Sequence, residues 1–172
     1  RPKIGGTRIT MDWLKSLAPR DCLYQFRFYA EEIADLAAVM DIPAPFRTRS
    51  RYAFSPVEAL ALLLARFKSA ADIYELTMNH NRSQGAISEV VNELSEYLDK
   101  RWGHLFEFDT AGVLAPEHLT EYAAAIHRRG SPLHTVWGFI DCTICGVCRP
   151  TWWQRIVYNS YKKIHATKYQ AV

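Results

Sequence analysis

Apolar residues recur at helical spacing through most of the first 130 or so positions, and then the rhythm changes. In "AEEIADLAAVM" (30–40) Ile33, Leu36, Val39 and Met40 fall on one helical face, and Pro43 and Pro45 end the pattern. "SPVEALALLLARF" (55–67) carries a full start signal: Ser55 as N-cap, Pro56 at the first helical position and Glu58 to close a capping box. It is apolar nearly all round, which predicts a buried helix. In 69–102, Ser69 is placed to cap a short helix carrying Ile73 and Leu76, and Asn79-His80-Asn81 is turn chemistry. Ser83 then caps a longer helix with Ile87, Val90, Val91, Leu94 and Leu98 inward. "APEHLTEYAAAIHRR" (115–129) is a further helix, with Pro116 early and Gly130 as its stop.

After Pro132 the pattern becomes strand-like. "TVWGFID" (135–141) is a short aromatic and β-branched run that predicts a buried strand. "IVYNSYKKIHATKYQAV" (156–172) predicts a second strand antiparallel to it. The expected organisation is a mainly α region over 1–132, with a helix-turn-helix candidate at 69–102, followed from 133 to 172 by the first β-hairpin of an α/β or α+β region. Two strands make a poor sheet, so 130–172 is expected to be loosely held unless it packs on helices. Both ends read as cuts, which makes the chain an expected fragment of a longer protein.

Charge alters this picture locally. The net charge is only +3, but 142–172 holds five basic residues and no acid, and Arg47, Arg49 and Arg51 form another cluster. Such clusters suit a polyanion. No apolar run reaches the length of a membrane span, no signal-peptide pattern opens the chain, and four cysteines do not make a disulfide framework, so a reducing compartment is expected.

Three constellations carry candidate chemistry. In the helix-turn-helix reading, Arg82, Ser83, Gln84, Ser88 and Asn92 face outward at the start of the second helix, where DNA contacts are made; Glu89, Glu93, Glu96 and Asp99 on the same helix oppose that use. Cys142, Cys145 and Cys148 form a C-x₂-C-x₂-C run, but a closed zinc site needs a fourth ligand, and the fourth position of a ferredoxin-type run is Trp152. No zinc or iron–sulfur cluster is expected. Asp141, the one acid after Glu121, is a carboxylate at the end of an apolar run, suited to a hard divalent ion. One carboxylate does not hold two such ions.

"WGFIDCTICGVCRP" followed by "QRIVYNSYKKIHATKYQAV" resembles the PIF/Harbinger-type DDE transposases, including the Harbinger transposase-derived nucleases. The family's run is an apolar strand, Asp-Gly-Thr, Cys-Arg-Pro, Gln-Arg, Tyr-Asn-Gly-His-Lys-Arg, a His, then Lys-aromatic-Gln. The matches are Phe139, Asp141, Thr143, Cys148, Arg149, Pro150, Gln154, Arg155, Tyr158, Asn159, Lys162, His165, Lys168, Tyr169 and Gln170. The resemblance is concentrated in 117–172 and extends more loosely to the helical region before it.

It implies an RNase H-like α/β nuclease core, truncated here, that cleaves phosphodiester bonds with three acidic residues and Mg²⁺ or Mn²⁺. Asp141 matches the first acid, as catalytic residue and metal ligand, and the other two lie downstream in the family. Arg149, Lys162, Lys163 and Lys168 would line the DNA beside it. A nuclear location, a DNA substrate and a Myb/SANT-like DNA-binding partner are implied, with no membrane role. Cys142 stands where the family has Gly, Ser160-Tyr161 where Gly-His is common, and "TWW" (151–153) replaces a more polar segment. These departures leave a second expectation, an inactive remnant that binds DNA or protein.

Overall fold

In the computed structural model, which describes residues 3–68, 72–107 and 109–171, the chain forms two compact units divided between Phe106 and Glu107. The expected boundary at 132/133 follows the change from helix to strand; by packing, the last long helix belongs with the strands. The character of each unit is as the sequence pattern indicated: mainly helical first, then a short antiparallel sheet.

The first unit contains α1 (Met11–Ser16), α2 (Pro19–Phe26) and α3 (Ala30–Val39). A two-stranded ribbon follows, β1 (Phe46–Arg47) and β2 (Ala53–Phe54), and then α4 (Pro56–Lys68), α5 (Ile73–Asn79) and α6 (Gln84–Trp102). α4 is the centre: Ala59, Leu60, Ala61, Leu62 and Leu63 are all buried, as a helix apolar on every side requires. It packs against α2, α3, α5 and α6. Ile33 of α3, Phe26 of α2, and Ile87, Val90 and Leu94 of α6 complete the core. Val39, expected inward, is exposed, because α3 ends there and Met40 turns the chain away.

Start signals act as read, with one exception. Ser55 Oγ accepts from the Glu58 amide at 3.1 Å, and Ser83 Oγ accepts from the Ala86 amide at 3.2 Å. Glu58 does not close a capping box; its carboxylate is spent on Arg82. The expected cap Ser69 lies outside the described residues, and Asp72 caps α5.

The turn between α5 and α6 is braced from the N-terminus. The amides of Gly5 and Thr7 donate to the carbonyls of Thr77 and Asn79, and the Asn81 amide donates back to the Gly5 carbonyl at 2.6 Å. Gly6 has φ +73, and a Cβ there would lie 2.0 Å from the Asn79 carbonyl oxygen, so only glycine fits this close approach. His80 is buried at the centre of the brace, its ring edge-on to Trp13 at 5.8 Å and near Phe26 at 6.4 Å.

The second unit holds α7 (Pro116–Arg128), β3 (Asp141–Gly146), the single-turn α8 (Gln154–Val157), β4 (Tyr158–Asn159) and β5 (Ile164–Ala171). The strand order is β3-β5-β4, all antiparallel. Two expectations change. The sheet has three strands, because Tyr158-Asn159 folds back on Ile164-His165. And "TVWGFI" is not a buried strand: regular pairing starts at Asp141, and Phe139 and Ile140 are 70% and 68% exposed. The ladder runs from Asp141 opposite Ala171 to Gly146 opposite Ala166, so the paired strand lies after the aromatic run rather than on it.

Burial holds the His80 imidazole at about 4, below its usual 6.5, with the Glu58 charge pulling the other way. The unfolded chain therefore takes up this proton first. The stabilisation from neutral His80 is complete above pH 6.5, declines as pH falls, and is gone near pH 4. Its size is about 3 kcal/mol. Urea unfolding between those limits is expected to show a shallower pH slope in His80→Gln than in the parent chain; equal slopes would contradict the assignment.

Candidate nucleic-acid interface

α5, the turn at His80–Ser83 and α6 form a short helix, tight turn and long helix, and α5 packs directly on α6. Of the residues expected to face outward at the start of α6, Gln84 and Asn92 are exposed and Ser88 is half-buried. They follow one another at four-residue steps, so they share one stripe of the helix. Ser83 is occupied as the helix cap.

Arg82 does not face outward. Its Nε and one terminal nitrogen grip both oxygens of Glu58 at 2.7 and 2.6 Å. The same terminal nitrogen donates to the Ala53 carbonyl at 2.9 Å, and the guanidinium lies 4.2 Å from the centre of the Phe54 ring. The two side chains are only 11% and 7% exposed. This is a bidentate, desolvated pair that ties the turn to α4 and β2, so it is structural. Nothing in the local pattern signalled it, because Glu58 reads equally well as a capping residue.

Two of the acids that opposed DNA binding are also committed elsewhere. Both oxygens of Glu93 accept from the Arg49 amide, at 3.1 and 3.0 Å. Glu89 accepts from the Ser50 amide at 3.2 Å and from the Ser50 hydroxyl at 2.6 Å. Hydrogen bonds from Ser50 first, then from Thr48, hold the Glu89 carboxyl below its usual range, and the Arg49 charge adds to this. Hence the tip of the β1–β2 ribbon lies along Glu89 and Glu93 of α6, with Gly85 beside the Tyr52 hydroxyl, and the Gln84-Ser88-Asn92 stripe is the next one round the helix. Arg47, Arg49 and Arg51 are all exposed at this tip. Sequence reasoning noted their cluster but not its partner, since the contact spans about 40 residues.

In the second unit Asp141 is exposed at the first position of β3, an edge strand, and its Oδ1 accepts from the Cys142 amide. No group of three His, Cys, Asp or Glu side chains that could hold a metal ion occurs among the described residues. The residues present thus do not by themselves fit a two-ion site. Strand alternation puts Cys142 and Cys145 on opposite faces of β3. Cys142, Cys145 and Cys148 are all free, as is buried Cys22, whose thiol is pushed up chiefly by burial.

The expected basic residues lie on three different segments of the second unit. Arg149 Nε donates to Gln154 Oε1 at 2.9 Å. Lys162 and Lys163 occupy the β4–β5 turn, where the Lys162 amide donates to Asn159 Oδ1 at 2.8 Å. Lys168 is exposed on β5, opposite Ile144.

These features define a mainly helical unit and, in the second unit, a small antiparallel sheet. No family model, curated protein or solved structure matches the chain.

Arg82→Ala is expected to cost about 3–5 kcal/mol, because it strands a buried carboxylate. The double change Glu58→Met with Arg82→Met is expected to cost much less. Chemical denaturation of the two variants checks this, and equal losses would show that the pair acts through packing alone.

Proposed function

We propose that the chain binds duplex DNA through its helix-turn-helix and leads into the opening strands of a Harbinger-like, metal-dependent nuclease core. The observation that carries the DNA-binding part is that α6 offers Gln84, Ser88 and Asn92 on one stripe while the acids beside it are spent on ribbon amides. A second helix with short polar side chains near its N-terminus, following a packed first helix, suits entry into the major groove. Neutral hydrogen-bonding groups read base edges there, and charge comes from the neighbouring ribbon.

The nuclease part rests on the resemblance. Asp141 opens a strand, and its antiparallel partner β5 carries His165 and Lys168. Mg²⁺ or Mn²⁺ chemistry of this type needs carboxylates besides Asp141, so no cleavage step is assigned to residues 1–172 alone. Cys142, standing where the resembled family has Gly, favours a second reading, a non-enzymatic DNA- or protein-binding remnant of such a nuclease.

Fluorescence anisotropy with duplex DNA tests the first part. Log K against log salt is expected to fall with a slope of about −3 or steeper. Gln84→Ala with Asn92→Ala should weaken binding at every salt concentration. A flat slope would sink the DNA reading. Mn²⁺-dependent nicking of plasmid that disappears in Asp141→Asn would exclude the non-enzymatic reading.

A further inference from the structure

Deepening the DNA-binding proposal on which it rests, we infer that the tip of the β1–β2 ribbon is a phosphate clamp, with Arg49 and Arg51 gripping the DNA backbone beside the groove that α6 enters. The tip is a tight turn. The Arg51 amide donates to the Thr48 carbonyl at 2.8 Å, and the Thr48 amide donates to the Tyr52 carbonyl at 2.9 Å. Arg51 closes it at φ +65, the left-handed conformation that such three-residue hairpin loops give to glycine. An arginine here carries a conformational cost that glycine would avoid. It gains nothing within the fold in return. Among the described residues, no hydrogen bond or ion pair reaches the guanidinium of Arg47, Arg49 or Arg51, and all three side chains are exposed.

The anchoring of the tip matches this use. α6 holds the ribbon by the backbone amides of Arg49 and Ser50, through Glu93 and Glu89, so the backbone that presents the arginines is fixed without a hydrogen bond to their guanidiniums. Fixing the backbone lowers the entropy lost when the guanidiniums dock. Alternate residues 47, 49 and 51 make a run of three guanidiniums, groups whose planar fork suits phosphate oxygens. The clamp contributes affinity and register on the duplex, and the Gln84-Ser88-Asn92 stripe contributes sequence preference.

The two roles separate experimentally. Arg51→Gly is expected to unfold at or above the parent's melting temperature, because it relieves the left-handed strain, yet to lose affinity for duplex DNA. The log K against log salt slope should become shallower by about 0.9 for each arginine removed, in Arg51→Gly and in Arg49→Ala alike. Arg49→Lys and Arg51→Lys should keep the parent's slope. Folded Arg51→Gly and Arg49→Ala variants that retain the parent's slope would overturn the clamp, even where Gln84→Ala still weakens binding and the helix-turn-helix reading stands. A parent chain that binds an acidic polypeptide but no duplex would overturn both.

Discussion

The guanidinium of Arg82 is shared among three elements: it pairs with Glu58 of α4, donates to the Ala53 carbonyl of β2 and covers the Phe54 ring. It stands in the turn just before α6 begins. The pair is nearly dry, so it holds only while both charges are present and correctly aimed. That requirement fixes where α6 starts relative to the central helix and where the ribbon lies relative to α6. The N-terminal segment reinforces it from the other side, through Gly5, Gly6 and Thr7 along the end of α5 and through buried His80. The α5–turn–α6 pair is thus held by polar contacts at the turn as well as by the apolar seam of Ile87, Val90 and Leu94.

With α6 so placed, its charges acquire a second meaning. On the sequence alone a helix with Glu89, Glu93, Glu96 and Asp99 repels a polyanion. In the fold, Glu89 and Glu93 take four hydrogen bonds from Arg49 and Ser50, while exposed Glu96 lies further from the start of the helix. The acids nearest the proposed DNA face hold the residues that supply positive charge to it. A carboxylate accepting amide hydrogen bonds beside an arginine is a weaker obstacle to a phosphate than a free one.

Helices were legible because capping and periodicity are local: Ser55, Ser83, Pro116 and the inner residues of α6 all behave as their spacing indicates. What was not legible depends on distant partners. Arg82 reads as a DNA-facing residue because its partner lies 24 positions away, and the anchoring of the Arg47-Arg49-Arg51 cluster was not legible because α6 holds it from some 40 positions away. The run before Asp141 read as a buried strand because apolar composition does not say whether a neighbouring strand is at hand. Pairing with a distant strand decides that, and here it begins at Asp141, with Phe139 and Ile140 exposed. Asp141 drew attention through its motif, and among the described residues it is not part of a group of three side chains that could hold a metal ion.

The DNA-binding proposal concerns the first unit, while the second carries Asp141 at the head of an antiparallel sheet. The claim that α6 and the ribbon tip act as one DNA-facing surface is tested most directly by backbone amide chemical shifts of the chain titrated with a short duplex. The account predicts that the largest changes fall together on Arg49, Ser50, Arg51, Gln84, Ser88 and Asn92, and saturate at one stoichiometry. Changes confined to residues 141–171, with the amides of Arg49 and Gln84 unmoved, would contradict it.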